Sequence, residues 1–296
     1  MFEMQSQKRD SMKKVFLCSI SNVTSGACKE DCTYCTQSMK YSTNVAIYKN
    51  KPKEKVLEEA KRLAKLGASG FCLVTSGLGL DSNKCDYIAN LASSIKKELP
   101  KMLLIACCGI ADRESLKYLK TNGIDSYNHN LETARSYFDF ICTTHSFDSR
   151  FETCQNVLSA GLKLCSGGIF GLGESIDQRI EFLKSLRELN PHSSPINFFI
   201  PNDALPIKEK ALSRDEALEC IILAREMLGD SILMLAGGRE VVFGENQKEI
   251  FDYGIDSIVL GDYLTTNGEA PNKDLLMLQQ YNLKIGHLIQ DRQCVV

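Results

Sequence analysis

One unit recurs along this chain and limits its fold more than any other feature: an amphipathic helical segment, a glycine that ends it, and a short apolar run. It is written as VLEEAKRLAKLGASGFCLV, SLKYLKTNGIDSYN, ETCQNVLSAGLKLCSG, EALECIILAREMLGDSILML and EIFDYGIDSIVL. In the first copy Val56, Leu57, Ala60, Leu63 and Ala64 share one helical face. Gly67 can take the left-handed conformation that stops a helix, and Phe71 to Val74 then reads as a buried strand. Helices alternating with short apolar strands predict a parallel sheet with right-handed crossovers. Strands are expected near residues 15–20, 70–75, 102–107, 124–127, 138–142, 162–166, 196–200 and 231–235. Eight such units predict an α/β chain closed into a (β/α)8 TIM-type barrel rather than an open sheet.

A chain of 296 residues suits one barrel, and no Pro-rich or Gly/Ser-rich linker divides it. The expected organisation is a flexible N-terminal extension over 1–14, a barrel over 15–266 and a more polar C-terminal segment over 267–296 packed on its outside. The formal net charge of −2, without a basic run, gives no support for nucleic acid as a partner. No stretch is apolar enough to span a membrane, and Met1 to Lys14 lacks the apolar core of a secretory signal. The expected setting is the cytoplasm and the expected ligand a small molecule.

Thirteen cysteines are many for such a chain. A reducing compartment argues against a disulfide framework and for metal or thiol chemistry, with buried cysteine as a small hydrophobe the plain alternative. The densest group is GACKEDCTYC, where Cys28, Cys32 and Cys35 have CxxxCxxC spacing in the loop after the first strand. A structural zinc site would need a fourth ligand at regular spacing, and none follows closely. Three ligands suit an iron–sulfur cluster with one open iron, which can bind S-adenosylmethionine and pass it an electron.

Three further cysteines end predicted strands: Cys72 in GFCLVTSG, Cys107 in LLIACCG and Cys165 in GLKLCSGG. The carboxyl ends of all barrel strands meet at one face, so these thiols are expected to converge. Cys107 is chosen over its neighbour Cys108 because it directly follows the strand, and adjacent strand residues face opposite sides. Arg239, in LAGGREV, follows two glycines after the last expected strand. From physics alone it reads as an anion clamp, since a protonated guanidinium is a poor metal ligand.

CxxxCxxC resembles the defining motif of the radical S-adenosylmethionine superfamily. Tyr34 matches the aromatic residue beside the adenine there, and Gly167, Ile169, Gly171 and Glu174 match a GxIxGxxE pattern that touches the cofactor. Between Val15 and about Thr266 the chain resembles the biotin synthase family more closely, through GACKEDCTYC, GFCLVTSG, YNHNLET, CSGGIFGLGE, PINFF and AGGRE. That resemblance implies a [4Fe-4S] cluster on Cys28, Cys32 and Cys35, and an auxiliary [2Fe-2S] cluster on Cys72, Cys107, Cys165 and Arg239. It implies that Glu132 holds the ribose of S-adenosyl-L-methionine and Arg150 its carboxylate. Asn128, Asn130 and Asn197 would surround the ureido ring of dethiobiotin, where amides supply donors and acceptors without charge.

The implied reaction is sulfur insertion between C6 and C9 of dethiobiotin to give biotin. Two hydrogen abstractions by a 5′-deoxyadenosyl radical and two cofactor cleavages would make each product, with sulfur from the auxiliary cluster. A flavodoxin or ferredoxin donor, iron–sulfur assembly machinery and a homodimer are implied as partners. The rivals are barrel relatives of the hydrogenase maturase or methylornithine synthase type, and a metal-binding protein without turnover. The loop after Cys107 is about two residues shorter than the family pattern, and the segment before the first strand is short. His129 reads as a packed, hydrogen-bonded histidine. Cys18, Cys85, Cys142, Cys154, Cys220 and Cys294 match no cluster position and read as core or incidental thiols.

Overall fold

The structure is a computed structural model that describes residues 13–261, 268 and 270–287. Of the expected extension over 1–14, residues 1–12 lie outside the described residues, as does Cys294, and Lys14 already belongs to the first strand. The chain opens with β1 (Lys14–Thr24), α1 (Lys53–Lys65), β2 (Gly70–Thr75), α2 (Ser82–Glu98), β3 (Leu103–Cys107), α3 (Arg113–Thr121) and β4 (Ser126–Asn128). Next come α4 (Arg135–Ile141), α5 (Phe147–Ser159), β5 (Lys163–Cys165), β6 (Gly168–Phe170), α6 (Ile176–Leu189), β7 (Ser193–Phe198) and α7 (Arg214–Leu228). The last elements are β8 (Ile232–Leu235), α8 (Arg239–Phe243), α9 (Lys248–Asp252), β9 (Ser257–Val259), α10 (Pro271–Gln280) and β10 (Lys284–Gly286).

All strand pairings are parallel, and β1 pairs with both β2 and β9, which closes the sheet into an eight-membered barrel. Strands β5 and β6 both pair with β7 and form one interrupted stave of that ring. The interruption depends on Gly167 and Gly168, because a Cβ there would lie 1.9 Å from the Pro195 carbonyl oxygen and 2.4 Å from that of Glu132. Strand β10 adds to the outside of the ring beside β1, registering Val15 with Ile285.

Side chains alternate along the barrel strands, with one register shift in β1 between Asn22 and Thr24. On β2, Phe71 and Leu73 are fully buried under the helices, whereas Gly70 and Cys72 face the barrel interior. The helix ends are specified locally. Asp81 and Asp112 accept hydrogen bonds from the third residues of α2 and α3, and α6 and α7 carry full capping boxes from Ser175 and Ser213.

One expected strand is a helix. Residues 138–142 follow β4 too closely to return as its parallel neighbour, which needs a crossover of about a dozen residues or more. Phe138 and Ile141 are buried while Phe140 is 73% exposed, a helical spacing, and the segment belongs to α4. The stave it was meant to supply is β9, from the recurring unit EIFDYGIDSIVL, whose final run was not among the eight expected strands.

Candidate active site

The barrel mouth opens into a cavity of about 390 Å³. The loop between β1 and α1 bends over it, turning at Gly26 and Ala27 with positive φ. Backbone bonds from Cys28 to Gln37 (3.2 Å), from Met39 to Cys28 (2.8 Å) and from Cys35 to Cys32 (3.0 Å) then curl the loop on itself. The Asp31 carboxylate pins it, accepting from the backbone N–H groups of Thr143 and Thr144 and from their hydroxyls. Cys28, Cys32 and Cys35 all line the cavity, together with Tyr34, Asn130, Glu132, Arg150, Ile169 and Asn197.

Glu132 and Arg150 form a buried ion pair at 3.0 Å, and Arg150 Nε also donates to the Asn130 carbonyl at 2.7 Å. Glu132 takes a φ of 70°, which turns its carboxylate toward the mouth. Burial pushes its pKa up against the opposing pull of Arg150. Its second oxygen, Oε2, has no protein partner, nor has Nε2 of His129, which burial holds well below the usual imidazole range. His129 is packed as expected, but its Nε2 makes no hydrogen bond.

Deeper in the barrel lies a second cavity of about 130 Å³, lined by Cys72, Cys165, Asn128, Asn130 and Asn197. Asn130 and Asn197 border both chambers. Asn197 is fixed at both ends, donating to the Gly168 carbonyl at 3.0 Å and accepting from the Gly237 N–H at 2.9 Å. The buried Oδ1 of Asn128 has no partner. Cys107 projects from β3 into the outer cavity, whereas Cys108 is fully buried among helix-facing apolar side chains. Burial pushes the Cys107 and Cys165 thiols up to about 12 and Cys72 well above the usual range. A metal would have to displace these protons on binding.

Two expected residues stand apart from these chambers. Arg239 is fully buried at the start of α8 and turned away from the barrel axis, donating to Asp274 at 2.8 Å and to Gln247. The glycines before it swing the chain out of the strand: Gly238 has a φ of 85°, and a Cβ there would lie 2.4 Å from the Phe198 carbonyl oxygen. Glu174 is buried beneath the GLGE turn, accepting from the N–H groups of Gly171 (2.9 Å) and Leu172 (2.7 Å) and pairing with Arg179 at 2.8 Å. It braces the turn and does not line the cavity.

Two thiols read as incidental stand at the site. Cys18 lines the inner cavity. Cys142 packs against the loop trio, its sulfur 3.6 Å from Cys32 Sγ and 3.2 Å from His145 Nδ1. Cys32 donates to Cys142, which together with His145 pushes the Cys142 thiol down to about 4. Assigning 138–142 to a strand hid this contact. The position of Cys18, two residues before Ile20 on one strand face, was a signal that could have revealed the other.

The three loop thiols suit a cluster with an open iron, and the unpartnered Glu132 Oε2 beside them suits a polar ligand such as S-adenosylmethionine. Residues 22–186 match the Radical SAM superfamily, and residues 195–284 match the Biotin and Thiamin Synthesis associated domain. Fold, loop and cavity together define a radical S-adenosylmethionine barrel enzyme, a class that holds a four-iron cluster and S-adenosylmethionine.

Among solved structures, the [FeFe]-hydrogenase maturase HydG superposes with a TM-score of 0.77 at 18% identity, over 93% of this chain and 65% of that one. Methylornithine synthase PylB does so with 0.76 at 17%, over 92% and 84%. These likenesses concern the fold alone. In sequence, the biotin synthase of Helicobacter hepaticus is 60% identical over 268 residues, which is 90% of this chain and 95% of that protein. That of Wolinella succinogenes is 57% identical over 274 residues, 93% and 98% of the two chains. The chain belongs to the biotin synthase family and is a radical S-adenosylmethionine sulfurtransferase. No helix among the described residues is long and apolar enough to cross a membrane.

Proposed function

We propose that this enzyme inserts sulfur between C6 and C9 of dethiobiotin to form biotin, using two iron–sulfur clusters in the two chambers of one barrel. The observation that carries this reading is that the loop thiols and Cys107 line the outer chamber, Cys72 and Cys165 line the inner one, and Asn130 and Asn197 border both. A substrate at that border lies between the source of the radical and the source of sulfur.

Cys28, Cys32 and Cys35 would hold a [4Fe-4S] cluster, which when bound supplies the electron that cleaves S-adenosylmethionine. Tyr34 and Ile169 would flank the adenosine, Glu132 would bind the ribose hydroxyls through its free oxygen, and Arg150 the methionine carboxylate. Glu174 acts at one remove, by fixing the turn that follows Ile169. The amides of Asn128, Asn130 and Asn197 offer neutral donors and acceptors to a ureido ring, and Asn128 still has a buried acceptor to satisfy. Cys72, Cys107 and Cys165 would hold the auxiliary cluster that donates sulfur.

A flavodoxin or ferredoxin would reduce the outer cluster, assembly machinery would restore the inner one, and the enzyme would work in the cytoplasm as a homodimer. Anaerobic reconstitution tests the reading. It expects about six irons per chain, biotin formation, and 5′-deoxyadenosine release that depends on dethiobiotin. About four irons, or cleavage indifferent to dethiobiotin, would count against it.

A further inference from the structure

The inner chamber has a third thiol, beside Cys72 and Cys165, that no expected cluster position includes. Cys18 projects from β1 into the same cavity as Cys72 and Cys165. All three are buried, yet none belongs to the apolar core cluster, which takes in Cys32, Cys85, Cys108, Cys142, Cys154 and Cys220. The strand cysteines of the inner chamber are thus presented to an internal space rather than packed as hydrophobes.

Register places Cys18 near its companions. It pairs with Gly70, and Ile20, the next inward residue of β1, pairs with Cys72. Cys18, Cys72 and Cys165 all line this one cavity of about 130 Å³. Gly70 carries no side chain beside the Cys18 sulfur, where a Cβ would approach to 3.2 Å.

Strand β8, which leads to the expected nitrogen ligand, supplies no side-chain nitrogen itself. Strand β8 presents Ile232 and Met234 to the cavity, and Arg239 comes only after the chain has left the strand. Its guanidinium is held by Asp274 and Gln247, and by Glu240 at 3.1 Å. Reaching the chamber would strip a fully buried cation of those partners, at a cost that an already poor metal ligand cannot recover. A thiol needs only to lose a proton to iron, and it is the commonest iron–sulfur ligand.

We propose that Cys18, and not Arg239, completes the coordination of the auxiliary cluster alongside Cys72, Cys107 and Cys165. The assignment rests on the two-cluster reading above and changes the chemistry of the inner site, since a fourth thiolate makes the cluster more negative than a neutral ligand would. Cluster charge is one of the terms that set reduction potential.

The test compares wild-type protein with the Cys18→Ala, Cys18→Ser and Arg239→Lys variants. Each is loaded anaerobically with iron and sulfide, checked for folding by circular dichroism, and read by iron count and Mössbauer spectrum. In Cys18→Ala the iron above four per chain should be lost or its spectrum changed, while the loop cluster's signal persists. Cys18→Ser, nearly isosteric, should keep the fold and shift the auxiliary spectrum, and it decides the matter if the alanine variant does not fold. Arg239→Lys keeps the charge opposite Asp274 and should retain the wild-type spectrum. A folded Cys18 variant with full iron and an unchanged spectrum overturns the assignment. Wild-type protein that takes up only about four irons overturns the two-cluster reading itself, and this proposal falls with it.

Discussion

The two thiol groups of this barrel are built in opposite ways. Cys28, Cys32 and Cys35 come from one short loop, and the backbone bonds that shape it are mostly its own. Cys18, Cys72, Cys107 and Cys165 come from four strands, and only barrel closure and register bring them together. A loop site can be read from spacing and edited without disturbing the fold. A strand-built site is written in parity and register, so its ligands are spread through the chain and its integrity depends on the whole ring.

The largest effect expected from this contrast is functional separation. Cys32→Ala should reduce cleavage of S-adenosylmethionine to background, measured as 5′-deoxyadenosine, and biotin formation with it. Cys165→Ala should abolish biotin formation but leave part of the cleavage, because the loop does not depend on β5 for its shape. Equal loss of both activities in the second variant would erase the distinction between the chambers.

A second expectation separates bracing from coordination. Asp274→Ala leaves the fully buried Arg239 without its closest carboxylate, and breaking a buried pair in this way costs about 3–5 kcal/mol. Chemical denaturation should register that loss, while the iron content of protein kept folded should match wild type. Unchanged stability together with depleted auxiliary iron would return Arg239 to the cluster.

These contrasts also explain what could be read from the chain. The repeated helix–glycine–strand unit gave the (β/α)8 barrel, because each unit carries its own stop signal at residues such as Gly67 and Gly123. The loop trio was legible for the same reason: its chemistry is local. The place of Arg239 was not legible because the glycines at 237 and 238 look like an approach to the site, whereas the positive φ of Gly238 directs the chain away from the two chambers. Cys142 was lost with the helix mistaken for a strand. Cys18 was passed over because one thiol on one strand gains meaning only when closure sets it beside β2 and β9.

The smallest effect tests parity directly. Leu103, Ile105 and Cys107 alternate inward along β3, so Cys108 must face the helices, and its sulfur lies 4.0 Å from the Leu73 carbonyl in the apolar layer. Cys108→Ala removes one buried sulfur and should cost about 1 kcal/mol of stability. It should leave iron content and spectrum unaltered. Cys107→Ala, at the adjacent residue, should disturb the auxiliary cluster with little change in melting behaviour of the metal-free protein, since its thiol faces a cavity rather than packed neighbours. If the two variants exchanged these outcomes, β3 would have to be one residue out of register, which would also turn Ile105 out of the barrel and Leu104 into it.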